Sequence, residues 1–215
     1  MKFLVVSDIH GDAAAADWIT AVAEKEDVDC VLAIGDITDF GPNEVAERIL
    51  GPVKRDVYVL PGNCDPLDFP ETVSGFATDM HGKTTVLGGF HVAGLGGSNP
   101  TIFNTPFELD EDTIYKMLRP ISKRGMILMV HAPPHGINDH IPSGLSVGST
   151  SILKIVEEFK PILVLSGHIH EDYGVVHIDG TTFINPGPAK DGMYAIVEVD
   201  EGAVSAGLFT AKRLP

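Results

Sequence analysis

KFLVVSDIHGD, residues 2–12, is the stretch whose reading decides the fold. A short β-branched run, KFLVVS, stops at a polar Asp-Ile-His-Gly-Asp break and reads as a buried strand. AAAADWITAVAEKE, residues 13–26, then has the apolar period of a helix, with Asp12 as its N-cap. CVLAIG at 30–35 is a second strand, NEVAERIL at 43–50 a short helix, and VYVL at 57–60 a third strand. Right-handed crossovers make three such strands parallel.

Further on the pattern changes. TTVLGGFHVAGLGG, 84–97, holds two short runs split by Gly-Gly, a hairpin signal. ELDEDTIYKMLR (108–119) and STSILKIVEEF (149–159) read as helices, and GMILMV (125–130) and ILVLS (162–166) as strands. The C-terminal third is strand and turn: YGVVHI, TTFIN, MYAIVEV and AVSAGLF. The expectation is an α/β fold over residues 1–215 as one domain, with two packed mixed sheets and helices outside.

The 215 residues are 44% apolar and 21% charged, the composition of an ordinary globular chain. A net charge of −15 repels phosphate backbones, so extended nucleic-acid binding is not expected. No run is long enough to span a membrane, and the N-terminal apolar run is too short for a signal peptide, which makes the cytoplasm the expected location. The two cysteines make no disulfide framework, and Cys30 reads as a small core residue. The C-terminal strands offer an edge through which a homo-oligomer could form.

Five strands end in residues with chemistry. Asp8 and His10 follow the first, Asp36 the second, Asn63 the third, His131 follows GMILMV, and His168 and His170 follow ILVLS. All five ends are expected on one sheet edge, where open α/β sheets place ligands. In Asp-x-His and His-x-His, residues i and i+2 of an extended segment point the same way, so each pair can grip one ion or two adjacent ions. Mixed imidazole and carboxylate donors suit Mn, Fe, Co, Ni or Zn. A lone His after a strand is ordinarily a surface or hydrogen-bonded residue, but five such placements in the same context point to a site.

Asp8-x-His10, Gly35-Asp36-x-x-Asp39, Gly62-Asn63-Cys64-Asp65, His131 and Gly167-His168-x-His170 together resemble the ordered signature of the calcineurin-like metallophosphoesterases. The closest group in appearance is the small prokaryotic phosphoesterases related to cyclic-nucleotide phosphodiesterases. The resemblance implies a double β-sandwich flanked by helices and two divalent ions, Mn favoured. It implies that Asp8, His10, Asp36 and His170 hold one ion, and that Asp36, Asn63, His131 and His168 hold the other, Asp36 being shared. His131 and Asn63 are thereby catalytic residues, and Asp65 stands behind the ligands. The implied reaction is hydrolysis of a small phosphate ester, a diester in the favoured reading, by a water activated between the ions. A monoesterase or small nuclease is the alternative enzyme, and a non-catalytic metal-binding scaffold of the same fold is the alternative of another class.

Where much of that family has a histidine after the Asn, this chain has Cys64. Three readings stand: a bystander, which is favoured and confines turnover to good leaving groups; a weak acid; or a thiolate ligand. His135, in HAPPHG, is a candidate substrate contact or replacement acid. Asp39 either orients a ligand or caps the turn before Gly41-Pro42, and Gly96-Gly97-Ser98-Asn99 is either a backbone phosphate contact or a plain loop. His81, His91, His140 and His177 read as structural or surface residues.

Overall fold

The first strand, β1 (Lys2–Val6), is buried on both faces beyond Lys2, so it must be covered twice. Leu4 and Val6 face a cluster with Trp18 and Ile19 of α1 (Ala14–Lys25) and with Ile49 and Leu50 of α2 (Glu44–Leu50). Phe3 and Val5 face the other way. They join Leu32 and Ile34 of β2 (Cys30–Ile34) and Leu60 of β3 (Asp56–Leu60). Against these pack Val92 of β6 (Phe90–Leu95), Ile127 and Met129 of β7 (Ile127–Val130) and Leu165 of β8 (Leu163–Leu165). Each fully buried side chain of this kind contributes about 1.5–3 kcal/mol of transfer free energy, so the seam between the sheets is the main fastening of the fold. This computed structural model describes residues 1–211.

The remaining strands are β4 (Thr78–Asp79), β5 (Lys83–Leu87), β9 (Gly174–Ile178), β10 (Thr181–Asn185), β11 (Met193–Asp200) and β12 (Ala203–Thr210). One sheet runs β12-β11-β1-β2-β3-β4, the other β5-β6-β7-β8-β10-β9. The first three strands are parallel, as their crossovers require, and the Gly88-Gly89 hairpin pairs β5 with β6 antiparallel. Both sheets are therefore mixed. Helices α4 (Glu111–Leu118) and α5 (Thr150–Phe159) cover the outer face of the second sheet through Ile114, Leu118, Ile152 and Ile155. Both helices are capped: Asp110 accepts from Thr113 N at 2.8 Å and Ser149 from Ile152 N at 3.1 Å. At α1 the Asp12 carboxylate accepts from Ala14 N at 3.1 Å, one residue inside the expected start. The two-residue β4 and the one-turn α3 (Phe69–Thr72) have no periodicity to read in sequence.

One expectation is corrected. The five functional strand ends do not share one sheet edge: β1, β2 and β3 lie in the first sheet, β7 and β8 in the second. Strand order cannot be read from apolar runs alone, because the central strands of both sheets are buried on both faces and give the same signal. The carboxyl ends of the two sheets meet instead, tied by His131 Nδ1 to Ile34 O at 2.7 Å and Gly97 N to Pro61 O at 2.9 Å.

Candidate metal centre

The chain turns sharply at the end of these strands. Asp8 (φ 57°), His10 (φ 49°), Asp36 (φ 50°) and His168 (φ 69°) all lie in the left-handed region, which costs a non-glycine residue on the order of 1–2 kcal/mol. Four such residues in one place are what a functional site looks like, and apolar patterning gives no sign of them. Backbone bonds hold the turns: Asp8 N to Gly35 O at 3.0 Å, His10 N to Asp36 O at 2.9 Å and Gly11 N to Ile37 O at 2.9 Å. Two glycines make the close approach possible. A Cβ on Gly62 would strike the Asp36 carboxylate and backbone, and one on Gly167 would strike Ser7 Oγ and Asp8 Oδ2.

The side chains converge in two groups. In the first, His170 Nε2 is 3.2 Å from Asp8 Oδ1 and 3.3 Å from His10 Nε2, and His10 Nε2 is 3.7 Å from Asp36 Oδ2. In the second, His131 Nε2 is 3.0 Å from Asn63 Oδ1 and 3.5 Å from Asp36 Oδ1. The His168 ring stands edge-on to His131 with centroids 5.2 Å apart, and its backbone N–H donates to the Asp8 carboxylate at 3.1–3.2 Å.

Proton placement tests whether these residues suit a cation. His131 Nδ1 donates to Ile34 O at 2.7 Å, so in the neutral ring Nε2 has only a lone pair. Asn63 Nδ2 donates to Thr105 Oγ1 at 3.1 Å, which turns the amide oxygen towards His131. Two acceptors then face each other at 3.0 Å, an arrangement that needs either a proton or a cation between them. The His10 and His170 Nε2 atoms also face each other at 3.3 Å, where at most one of them can donate to the other. Donor atoms of Asp8, His10 and His170 lie within 4.8 Å of one another, as do those of Asp8, Asp36 and His131. An Asp, His and Asn donor set of this kind fits borderline divalent ions.

Electrostatics agree. Burial works against the charge on Asp8 and Asp36, but the neighbouring histidines outweigh it and hold both carboxyls below the usual range. Burial likewise disfavours the His131 imidazolium, yet Asp36 and then Asp8 raise it to about 9. His168 is pushed down to about 4 by burial and by His131.

Asp65 lies behind the ligands. Its buried carboxylate accepts from Thr38 N at 2.7 Å, Thr38 Oγ1 and Gly62 N at 2.8 Å, and Ile37 N at 3.1 Å, locking the β2 and β3 turns together. Burial and then Asp36 push its carboxyl up to about 6 against those donors. The Cys64 N–H donates to Asp36 Oδ1 at 2.8 Å, and its Sγ lies within 4.8 Å of donor atoms of His10 and Asp36. Burial and then Asp36 drive the thiol far up, so it is protonated beside these carboxylates. Cys30 is a buried core thiol pushed up to about 12, first by burial.

Other candidates fall elsewhere. The structure brings His135 to Asp139 (Nδ1 to Oδ2, 3.6 Å) rather than to the ligand atoms. Asp39 is exposed, 3.9 Å from His10 Nδ1, and the turn before Gly41-Pro42 is closed by Thr38 Oγ1 accepting from Gly41 N. The N–H groups of Gly97 and Ser98 are spent on Pro61 O and Phe107 O, which leaves the loop reading of that glycine pair. His81, His91 and His177 make ordinary structural hydrogen bonds. His140 is exposed, in keeping with its structural or surface reading, and its Nδ1 lies 2.9 Å from Asp172 Oδ2 and 3.7 Å from Asp139 Oδ1. The adjacency of Asp139 was visible in sequence, but the approach of Asp172 was not.

The fold and this donor set define a metal-dependent hydrolase of the phosphoesterase kind, and comparisons with known proteins give the family. The chain belongs to the calcineurin-like phosphoesterases, whose family model matches residues 1–172. An uncharacterized protein of Methanocaldococcus jannaschii is 34% identical over 204 residues, covering 90% of this chain and 91% of that protein. Human metallophosphoesterase domain-containing protein 1 is 28% identical over 62% of this chain, which spans 43% of that protein. Among solved structures, TT1561 of Thermus thermophilus aligns with a TM-score of 0.71 at 18% identity, covering 96% of this chain and 97% of that one. A protein described as a novel archaeal phosphodiesterase aligns at 0.57 and 13%, covering 97% and 100%. These likenesses establish the metallophosphoesterase fold. The family match ends before β9, so β9 to β12 complete the two sheets outside it.

A pH dependence follows from His131. Its folded-state pKa of about 9 lies above the ordinary 6.5, so its contribution to stability is present below pH 6.5 and lost as pH rises through 9. The urea midpoint of chelator-treated protein should fall over that window. A metal-loaded sample should resist the fall, because a ligating imidazole is already deprotonated. Coincident profiles with and without chelator would contradict this picture.

Proposed function

We propose that this chain is a phosphodiesterase working with two divalent ions, Mn favoured, held by Asp8, His10, Asp36 and His170 on one side and by Asp36, Asn63, His131 and His168 on the other. The observation that carries the reading is the placement of Asp36. Its Oδ2 faces His10 and its Oδ1 faces His131, so one carboxylate reaches both donor groups. Ions bound there would supply the charge that activates a water and neutralises the phosphoryl oxygens.

The chain's own residues do the rest. Asp8 and Asp36 offer two negative charges against four positive ones, which leaves the site net positive inside an acidic protein and suited to an ester anion. Asp65 fixes the turns carrying Asp36 and Asn63 through its four accepted hydrogen bonds. Cys64 presents a protonated thiol, a poor proton donor to a departing alkoxide, so the reaction relies on leaving groups that depart without help. Preference for a diester is supported by a cavity of about 470 Å³ beside His168 and His170. It has room for a second ester arm, and among the described residues no Lys or Arg lines it to hold the extra charge of a monoester.

Chelator-stripped protein resupplied with Mn, Ni, Co, Zn or Mg should release nitrophenol from bis(p-nitrophenyl) phosphate faster than from p-nitrophenyl phosphate. Asp36→Asn should lower the rate by roughly a hundredfold or more, as expected when charge facing the transition state is lost. A faster monoester would make the chain a monoesterase. Silence with every metal, despite two bound ions, would favour a binding scaffold of the same fold. Cys64→His should raise turnover on esters with poor leaving groups by about a hundredfold and barely change nitrophenyl esters, because only the former need a proton. Equal effects on both would remove Cys64 from this role.

A further inference from the structure

The cavity beside the metal-binding histidines has a chemistry of its own. Its floor is His168, Ile169 and His170. One wall is the loop after β6, with Ile102 and Phe103, and the other is the loop after β7, with Ile141, Leu145 and Val147. Ile102, Phe103 and Leu145 are among the most exposed large apolar side chains among the described residues, and all three line this one cavity. Scattered exposed apolar residues need no explanation, whereas three gathered at the mouth of one cavity mark a binding surface.

The walls are also built in advance. Glu108 accepts from Thr101 Oγ1 at 2.6 Å and from Thr105 Oγ1 at 2.7 Å, which folds the first loop. The second closes on itself through Gly144 N to Ile141 O at 2.8 Å and Ile141 N to Leu145 O at 3.1 Å. Asn99 Nδ2 donates to Val147 O at 3.1 Å and joins the two loops. At about 470 Å³ the cavity falls within the size range of small-molecule sites. Among the described residues its only fixed charge is Glu171, and these residues offer nothing to a second phosphate.

We propose that this cavity receives an uncharged apolar alcohol, aliphatic or aryl, carried by the phosphate ester whose phosphoryl group lies at His168 and His170. The proposal rests on the phosphoesterase reading above and names the substrate class: lipophilic phosphodiesters rather than nucleotides. The occupant follows from continuity, since the histidines that would hold an ion are also the cavity floor. It follows equally from charge, since a nucleoside polyphosphate would find Glu171 where it needs a cation.

Calorimetric titration of the Mn-loaded protein with monohexyl and monomethyl methylphosphonate decides the matter, because neither probe carries an aryl group that competes for the cavity. The hexyl probe should bind at least about tenfold more tightly, a conservative return on five added methylenes. Leu145→Asn and Phe103→Ser should each shrink that ratio. In parallel, hexyl p-nitrophenyl phosphate should surpass both its methyl homologue and the p-nitrophenyl ester of thymidine 5′-phosphate in kcat/KM. Equal affinities for the two phosphonates, or a clear preference for the thymidine ester, would overturn the proposal. If no ester is hydrolysed the phosphoesterase reading fails, and the titration still decides the cavity.

Discussion

A buried imidazole reaches from one sheet to the other. His131 ends β7 in the second sheet, and its Nδ1 donates to the carbonyl of Ile34 at the end of β2 in the first, at 2.7 Å. That single bond sets the tautomer of the ring and aims Nε2 at Asp36 and Asn63. It also limits how the carboxyl ends of the sheets can sit, since the side chain is fully buried and has no other place to go. The apolar seam between the sheets holds them together, but apolar contact is non-directional and would tolerate sliding. A buried hydrogen bond does not tolerate it, because breaking it leaves a donor and an acceptor unpaired at about 1–3 kcal/mol.

The surrounding strain has the same logic. Left-handed backbone at Asp8, His10, Asp36 and His168 gathers carboxylates and imidazoles that an isolated chain would spread apart. Asp65 compensates from behind by gathering four donors from the two turns nearest Asp36. The result is preorganised: the ligand atoms are packed together before any ion arrives, and a bound ion would take the place of the proton that His131 holds towards Asn63 and Asp36.

Much of this could be read in the sequence, and the limits have physical causes. The β-α-β-α-β start, the Gly88-Gly89 hairpin and the two outer helices follow from apolar period and turn residues, which are local signals. The residues that gather at the centre were legible because each lies in the short turn after a strand. Their division between two sheets was not, since strand order is set by non-local packing. The left-handed turns were hidden because Asp and His, unlike Gly, do not announce a positive φ. The meeting of His140 with Asp172 was hidden because 32 residues separate them. The apolar cavity was hidden too: Ile102, Phe103 and Leu145 sit in loops whose sequence shows no period.

The central claim is that two donor groups sharing Asp36 hold two ions where the sheets meet. Anomalous scattering from a Mn-soaked crystal tests it most directly. Two peaks about 3.5–4 Å apart are expected on either side of the Asp36 carboxylate, the spacing of two-metal sites. One of them should lie beside Asp8, His10 and His170, the other beside Asn63, His131 and His168. A single peak, or none within reach of these side chains at saturating Mn, would contradict it.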